Sequence, residues 1–281
     1  MSDTGSSASA RAIGLWRRTS FAVGDGPEDR ATTVFWGQTS RRYIDVRVPV
    51  QRPCCEAGTL ARLADRDVRA LGQQQGFAGD LVCVGDRFTW HRDIDFQPPT
   101  GRPDTGLVRI EGDTLHEEGD AADAGSTYRE TFRRIASGSR RRLALRSAAG
   151  EGHMSASAAP VRADLVVIDD HFLLARARPE ALPAAPGLGS LLANARRDAP
   201  DRLPALLDCE IAKGQLQSNA GRWTIEVSTL PWREGTAAFA LKGARLDGDR
   251  LTCQSRAGTV HWTVVDSTLP ASEIIRLFSS G

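Results

Sequence analysis

The sequence lacks several features that would point directly to a partner or a compartment. Lys and Arg total 36 and Asp and Glu total 35 among 281 residues, which leaves a net charge of +1. Without an excess of either sign, no global field draws the chain to nucleic acid or to anionic lipid, and we predict neither as a partner. No apolar run approaches the roughly 18 residues of a membrane-spanning helix. We therefore expect no membrane segment.

Cysteine is scarce and its spacing is uninformative. The chain has five cysteines, an odd number. Cys54 and Cys55 are adjacent and lack the two-residue gap of a metal knuckle or a redox pair. Residues 1–10 are small and polar without an apolar run, and we expect a disordered leader there instead of a signal peptide. These features favour reduced thiols in a cytoplasmic protein.

Catalytic and cofactor motifs are also missing. The sequence contains no Gly-x-Ser-x-Gly elbow, no P-loop, no dinucleotide fingerprint and no zinc-ligand spacing. We therefore expect no cofactor and no resident metal. What the sequence does have is arginine, since every basic residue except Lys213 and Lys242 is arginine. Several arginines alternate with apolar residues, and a guanidinium group is suited to pairing with buried carboxylates.

Strand signals dominate the first half of the chain. Runs rich in aromatic and β-branched residues alternate with Gly, Pro, Asp and Ser turns at the spacing of barrels and sandwiches. They lie at residues 12–23, 32–39, 43–50, 81–84, 87–96, 107–110, 114–118, 127–135 and 142–146. One window with helical spacing, 58–75, interrupts them. A break at 148–152 ends this series of strands.

The second half has the same composition of elements. Predicted strands lie at 153–159, 162–169, 172–178, 222–230, 237–244, 250–255 and 259–265, with a helical window at 188–207 and a closing helix at 271–278. The fold class predicted is all-β in the main, with two antiparallel β-barrels packed side by side, each with a short helix. The barrels would comprise residues 11–150 and 151–281, and closing them removes exposed sheet edges.

Candidate chemistry lies first on the strand from Phe88 to Phe96. Because side chains alternate along a strand, one face would carry Phe88, Trp90, Arg92, Ile94 and Phe96 as a barrel lining. The other face would carry Thr89, His91, Asp93 and Asp95 towards solvent. As an alternative, His91-x-Asp93 matches two ligands of an iron site, with His153 as the distal histidine and Arg162 holding a co-substrate. That alternative is a metal-dependent oxygenase.

A second group lies on two neighbouring strands. Trp36 shares a face with Gln38, and Tyr43 shares a face with Asp45 and Arg47, opposite the apolar Ile44, Val46 and Val48. Either these polar residues face water, or the barrel lumen is polar and its outer face is covered. We expect Arg47 outside, whereas Trp36 and Tyr43 favour a partly lined cavity.

A third group places Glu130 between Tyr128 and Phe132 on one strand face. A glutamate between aromatic residues is either paired with an arginine, such as Arg92, or has a raised pKa. A raised pKa suits a general acid.

Three stretches taken together resemble a known family. They are Trp90 to Phe96, Leu115-His116-Glu117-Glu118-Gly119, and Tyr128-Arg129-Glu130-Thr131-Phe132. Their order and spacing resemble a little-characterised fungal and bacterial family of two-lobed, lipocalin-like β-barrel proteins. The resemblance implies two lipocalin-like lobes and no catalytic residues. Similar double barrels serve carotenoid hydratases and decalin-forming cyclases, an analogy of architecture only.

The sequence thus predicts that an apolar small molecule binds in a barrel cavity. The leading hypothesis is a cofactor-independent cyclase, isomerase or hydro-lyase of bacterial secondary metabolism, acting as a monomer or homodimer. The predicted catalytic residues are Glu130, Asp45 and Arg92, and the predicted substrate-binding residues are Trp36, Gln38, Tyr43, Arg47, Trp90, Phe96 and Tyr128. The alternative is a non-catalytic lipocalin-like carrier or a protein-interaction module.

Overall fold

A computed structural model describes residues 8–120, 126–147, 161–217, 222–255 and 258–279. About half of these residues are in strands, which confirms the mainly β class. The predicted leader overlaps the first element, since α1 (Ala8–Ala12) already includes residues 8–10. The predicted strand at 153–159 and His153 lie outside the described residues.

The first half of the chain forms a closed antiparallel barrel, as expected. Each strand pairs with its sequence neighbour, and the first pairs with the eighth, from Leu15 opposite Ala136 to Val23 opposite Tyr128. The helix α2 (Asp65–Gly72) precedes the fourth strand. The strands are β1 (Gly14–Val23), β2 (Thr33–Gln38), β3 (Arg42–Val48), β4 (Gln75–Val84), β5 (Arg87–Asp95), β6 (Asp104–Glu111), β7 (Thr114–Asp120) and β8 (Thr127–Ala136).

A β-bulge in β5 changes which residues face the lumen. Arg92 pairs with Gly79 and Ile94 pairs with Ala78, so Asp93 has no partner across the ladder. Gly79 makes the bulge possible, because a Cβ atom there would lie 1.6 Å from the carbonyl oxygen of His91. The expectation that Ile94 and Phe96 share a face with Trp90 is therefore wrong, since the extra residue reverses the alternation.

The second half forms one eight-stranded antiparallel sheet. The elements of this half are β9 (Arg142–Ser147), β10 (Ala163–Ile168), β11 (His171–Arg176), α3 (Leu188–Asp198), α4 (Leu203–Leu207), β12 (Glu210–Gln217), β13 (Arg222–Ser228), β14 (Lys242–Asp247), β15 (Arg250–Ser255), β16 (Gly258–Ser267) and α5 (Ala271–Ser279). The strand order in the sheet is β13-β12-β11-β10-β9-β16-β15-β14. We expected β9 in the first barrel, but it is part of this sheet and pairs with β10 and β16.

The second sheet curls around an apolar core, but its end strands β13 and β14 do not pair with each other within the described residues. Aromatic rings fill this side instead. The Trp223 ring lies 5.2 Å from the ring of Phe278 in α5 and 5.0 Å from that of Phe239. The helix α5 and the loop with Phe239 cover the end strands of this sheet. They hide apolar surface and sheet edges, as the pairing of the first and last strands does in a closed barrel. The strand expected at 237–244 begins only at Lys242, after the segment that carries Phe239.

A shared core joins the two lobes. Ile44, Val46 and Val48 on the outer face of β3 pack with residues of β10, β11 and β12 and with the helices α2, α3 and α4. The outer face of the first barrel is therefore covered at β3, and its polar alternate residues face the lumen. The alternative with a polar lumen and a covered outer face is therefore correct for these strands. The expectation that Arg47 faces outside is wrong.

Candidate functional site in the first barrel

The lumen of the first barrel is apolar at one end. Trp16, Trp36, Phe88, Trp90 and Phe132 are buried together, and the Trp36 ring lies 6.1 Å from those of both Trp90 and Phe132. The helix α1 contacts β4 and β6, and the carbonyl of its last residue, Ala12, accepts a hydrogen bond from Trp16 Nε1 at 2.8 Å. This end is therefore filled by aromatic side chains.

Above these rings lies a cavity of about 360 Å³. A volume of this size is within the usual range of small-molecule sites. Every strand of the barrel contributes to its wall, which combines aromatic rings with charged groups. The residues that line it are Phe21, Val23, Trp36, Asp45, Arg47, Gln75, Phe77, Trp90, Arg92, Asp104, Glu117, Asp120, Tyr128, Glu130 and Phe132.

Seven of the ten predicted site residues line this cavity, and three do not. Gln38 is buried, and its amide donates to the carbonyl of Thr39 at 2.7 Å. The buried Tyr43 donates from its hydroxyl to the carbonyl of His91 at 3.5 Å. Phe96 lies in the core between the lobes, where Arg178 covers its ring. Its displacement from the lumen follows from the bulge in β5.

Glu130 is the centre of the first charged group in the lumen. Its Oε1 accepts hydrogen bonds from Arg18 at 3.0 Å and from Arg47 at 2.7 Å. Arg47 also pairs with Asp45 at 2.8 Å, and Arg18 pairs with Asp29 at 2.8 Å. The expected pairing of Glu130 with an arginine is therefore present, but the partners are Arg18 and Arg47 and not Arg92. Glu130 Oε2 is buried without a hydrogen-bond partner among the described residues.

Arg92 belongs to a separate group at the rim. It pairs with Asp104 at 2.6 Å and with Asp95 at 2.9 Å, and its guanidinium lies 3.7 Å from the centre of the Phe77 ring. Asp95 faces the lumen because the bulge reverses the alternation after Asp93. Both carboxylates and the ring hold the guanidinium in one orientation.

Glu117, which we did not predict as a site residue, is a cavity carboxyl with a strongly raised pKa. It lies directly opposite Glu130 in the β7–β8 register and accepts a 2.6 Å hydrogen bond from the Tyr128 hydroxyl. Burial and then the nearby charge of Glu130 raise the pKa of Glu117 to about 8. A carboxyl with this pKa keeps its proton at neutral pH and can donate it.

The geometry around Glu117 depends on a glycine. Gly119 faces Tyr128 across the ladder, and a Cβ atom at Gly119 would lie 2.6 Å from the Tyr128 ring. Because that space is empty, the ring lies over β7 and its hydroxyl reaches Glu117. Burial, followed by the charge of Glu117, raises the pKa of Tyr128, so the phenol remains a hydrogen-bond donor.

Sequence patterns could have identified part of this missed set. Glu117 lies two residues after the buried Leu115, and Arg18 lies two residues after the buried Trp16. Because side chains alternate between the two faces of a strand, the inward orientation of Glu117 and Arg18 could have been predicted. Phe77 and Asp104 could not be placed, since the helical window was expected to end at residue 75 and the next strand to begin at 81, and β6 was expected to begin later, at 107. Asp45 was identified correctly as a lumen residue, and burial raises its pKa against the opposing effect of Arg47.

The residues of the metal alternative have other partners. Asp93 accepts hydrogen bonds from Arg42 at 2.8 Å and from Arg146 at 3.0 Å, and Arg162 lies 3.5 Å from it. His91 is exposed. No group of three or more potential metal ligands occurs within the described ranges, which do not include His153. Likewise, none of the helices within those ranges is long and apolar enough to cross a membrane.

Comparison with known proteins gives structural neighbours only. No protein-family model and no curated protein matches the sequence. An uncharacterized protein from Saccharomyces cerevisiae, YLR301w, matches 91% of this chain and 98% of its own with a TM-score of 0.54 and 14% identity. At that identity the likeness concerns the fold alone, and it extends over both lobes.

Two bacterial structures match a smaller part of the chain. A lipocalin-like protein from Bacteroides uniformis covers 44% of this chain and 99% of its own, with 14% identity and a TM-score of 0.28. An uncharacterized protein from Bacteroides eggerthii covers 44% and 98%, with 13% identity and a TM-score of 0.27. Membership of the fungal and bacterial family stays a prediction.

Proposed function

We propose that the first barrel binds a small molecule in its 360 Å³ cavity and transfers a proton to it without a cofactor, with Glu117 as the acid. The observation that carries this proposal is the Glu117 carboxyl, buried opposite Glu130 and next to a cavity with an aromatic wall. A group that is protonated at neutral pH and lines a cavity of ligand size meets the two requirements of a general acid, reach and pKa. The reaction class is isomerisation, cyclisation, or addition or loss of water.

The neighbouring groups would support that step in distinct ways. When Glu117 donates its proton, its new carboxylate keeps the hydrogen bond from Tyr128 and gains attraction to Arg47, whose charge lowers the pKa of Glu117. The substrate becomes cationic as it accepts the proton. Glu130 and Asp45, held by Arg47, would stabilise that positive charge, and the rings of Trp36 and Trp90 would exclude water. Loss of a proton from another substrate atom back to Glu117 would complete an isomerisation.

These roles revise the expectations for the predicted catalytic residues. Glu130 shares Oε1 between two arginines, so we propose it as an anionic partner of the substrate and not as the acid. Arg92 is fixed between Asp95 and Asp104, and we propose that it shapes the rim. A carrier would have the same cavity but no use for the proton of Glu117, and this difference separates the two functions.

Ligand binding is tested first, with the neutral fluorophore N-phenyl-1-naphthylamine. Val23 lies at the cavity mouth with 37% of its surface exposed, and Val23→Trp places a ring there at little risk to the fold. We expect the affinity to fall at least tenfold. The matched control is Val84→Trp, an exposed valine on β4 that does not line the cavity. Equal binding by both variants would contradict the proposed cavity site.

Proton transfer is tested by deuterium incorporation. The protein is incubated in D₂O with a panel of apolar alkenes, enones and tertiary alcohols, and the products are weighed by mass spectrometry. We expect incorporation with the unmodified protein and with Glu118→Gln, an exposed neighbour on the same strand. We expect none with Glu117→Gln. Incorporation that persists in Glu117→Gln would remove the acid role, and ligand binding without any incorporation would favour the carrier.

A further inference from the structure

We propose that the cavity of the first barrel selects ligands with a positive charge, such as an ammonium group on an apolar body. This inference rests on the proposed function and deepens it by naming the charge class of the species that the cavity holds best. A bound cation resembles the protonated substrate, which is the state in which Glu117 has already given up its proton.

Charge balance is the first observation. The lining has five acidic side chains, Asp45, Asp104, Glu117, Asp120 and Glu130, and two basic ones, Arg47 and Arg92. Both arginines are already paired, Arg47 with Asp45 and Glu130, and Arg92 with Asp95 and Asp104. An anionic ligand would have to displace one of these carboxylates. A cationic ligand displaces nothing and offsets the excess of negative charge.

An unused acceptor is the second observation. Glu130 is 2% exposed, and its Oε2 has no hydrogen-bond partner among the described residues. A buried carboxylate oxygen without a partner costs free energy, which a donor on a ligand would recover. An ammonium group supplies such a donor together with a positive charge, and a quaternary ammonium supplies the charge alone.

The aromatic wall is the third observation. Arginine side chains already lie over the rings of Phe77 and Phe21, at 3.7 and 5.1 Å from the ring centres. The rings of Trp36, Trp90, Tyr128 and Phe132 also line the cavity, and among the described residues no cation lies over them. Aromatic faces next to carboxylates attract organic cations, and tryptophan attracts them best.

Glu117 couples ligand charge to proton release. The charged and titratable groups that face it are Glu130 and Tyr128 on β8, Arg47 and Asp45 on β3, Asp104 on β6, Arg92 on β5 and Arg18 on β1. The three carboxylates and three arginines of this set offset one another, so burial and the directly opposed Glu130 favour the neutral form of Glu117 while the cavity holds no cation. A bound cation would reverse that preference. Binding at pH 7 should therefore release a proton, although a quaternary ammonium has none to give.

The test uses three benzyl probes: benzyltrimethylammonium, its neutral carbon analogue of the same shape, neopentylbenzene, and the smaller anion phenylacetate. Each competes with N-phenyl-1-naphthylamine. We expect the cation to bind at least tenfold more tightly than the neutral analogue and phenylacetate to bind most weakly. Calorimetry at pH 7 in phosphate and in Tris then counts protons. We expect release of close to one proton by the unmodified protein and by Glu118→Gln, and none by Glu117→Gln.

The outcomes separate this inference from the proposed function. If neopentylbenzene or phenylacetate binds as tightly as the cation, the charge selectivity is wrong and the cavity stands as a site for neutral or anionic ligands. If the cation binds more tightly but Glu117→Gln releases as many protons as the unmodified protein, the role of Glu117 in selectivity is wrong. If none of the probes binds and Val23→Trp does not alter fluorophore binding, the cavity itself is not a binding site and both proposals fall.

Discussion

The two lobes use eight antiparallel strands each but enclose opposite kinds of interior. Inside the second sheet, Phe172, Trp223, Trp262 and Phe278 pack with aliphatic side chains into an apolar core. Inside the first barrel, Arg18, Arg47 and Glu130 lie above a layer of aromatic rings, next to an open volume of about 360 Å³.

The difference shows which lobe is suited to chemistry. Burying a charge is costly unless it is paired, and an apolar core of the same volume would be more stable. The first barrel tolerates this cost inside its lumen, whereas the interior of the second sheet is apolar. Buried charges of the second sheet such as Asp164 and Lys213 contact the first barrel instead, next to the apolar surface that covers β3. We therefore regard the second lobe as the support and the first as the candidate site.

The largest expected effect removes the bulge that distinguishes the first barrel. In Gly79→Ala the new Cβ atom would lie 1.6 Å from the carbonyl oxygen of His91, so the β4–β5 ladder must re-form without the bulge. We expect a loss above ~5 kcal/mol in the free energy of unfolding, or no soluble protein. Gly189→Ala, where a Cβ atom meets nothing within 4 Å, is the control in chemical denaturation. Similar stability of the two variants would show that the bulge is not needed.

The next test compares one phenylalanine from each interior. Phe172→Ala removes a fully buried ring from the second core, and we expect a loss of ~4 kcal/mol. Phe21→Ala removes a ring that already borders the cavity, so we expect less than half that loss, since fewer packing contacts disappear. Equal losses in urea denaturation would mean that the two interiors are packed alike, which would break the comparison.

The junction between the lobes gives a somewhat smaller effect. Arg42 is 1% exposed and pairs with Asp164 of β10 at 2.5 Å and with Asp80 and Asp93 of the first barrel at 2.8 Å. Burial raises the pKa of Asp164 to about 6, against the opposing attraction of Arg42. We expect Arg42→Met to cost ~3 kcal/mol at pH 7, because it leaves the buried Asp164 with only its longer, 3.6 Å contact to Arg146.

The double variant tests that cause. Adding Asp164→Leu to Arg42→Met removes the buried carboxylate that has lost its partner Arg42, and we expect the thermal stability to recover in part. No recovery would assign the loss to packing instead of charge.

The smallest expected effect is a change in how steeply the free energy of unfolding varies with pH. Because the pKa of Glu117 is raised in the folded protein, the folded state keeps a proton that the unfolded chain loses above its ordinary value of 4.5. The free energy of unfolding should therefore fall as the pH rises from about 5 to 8. Glu117→Gln should lack this part of the slope and be more stable than the unmodified protein at pH 8 by at least ~1 kcal/mol.

Glu118→Gln is the control for this pH series, since its carboxyl faces solvent on the same strand. If Glu117→Gln and Glu118→Gln follow the same pH curve, Glu117 is an ordinary ionised carboxylate.

The alternation of apolar and polar residues along each strand was enough to predict much of the first barrel. It placed Trp36, Asp45, Tyr128 and Glu130 on inward faces, because an unbroken strand alternates regularly. It failed for Ile94 and Phe96, since a bulge adds one residue and reverses the alternation, and nothing in the local sequence marks its position.

Other differences arose from tertiary context. The strand β12 (Glu210–Gln217) was missed because Lys213 and Gly214 interrupt its apolar residues, although Lys213 is buried against Glu226 and the Phe35 ring. The pairing of Glu117 with Glu130 needs the register of β7 and β8 as well as the alternation of each strand. Alternation is a local property of the sequence, whereas register depends on the turn and on the whole barrel.

The protonation of Glu117 is the central claim, and it can be measured directly. A ¹³C NMR titration of protein labelled at the glutamate side-chain carboxyl carbons, with Glu117→Gln to assign the signal, gives the pKa of this one group. We predict a midpoint close to 8. A midpoint near the ordinary 4.5 would contradict the account, because Glu117 would then be ionised at neutral pH and could neither act as the acid nor release a proton when a cation binds.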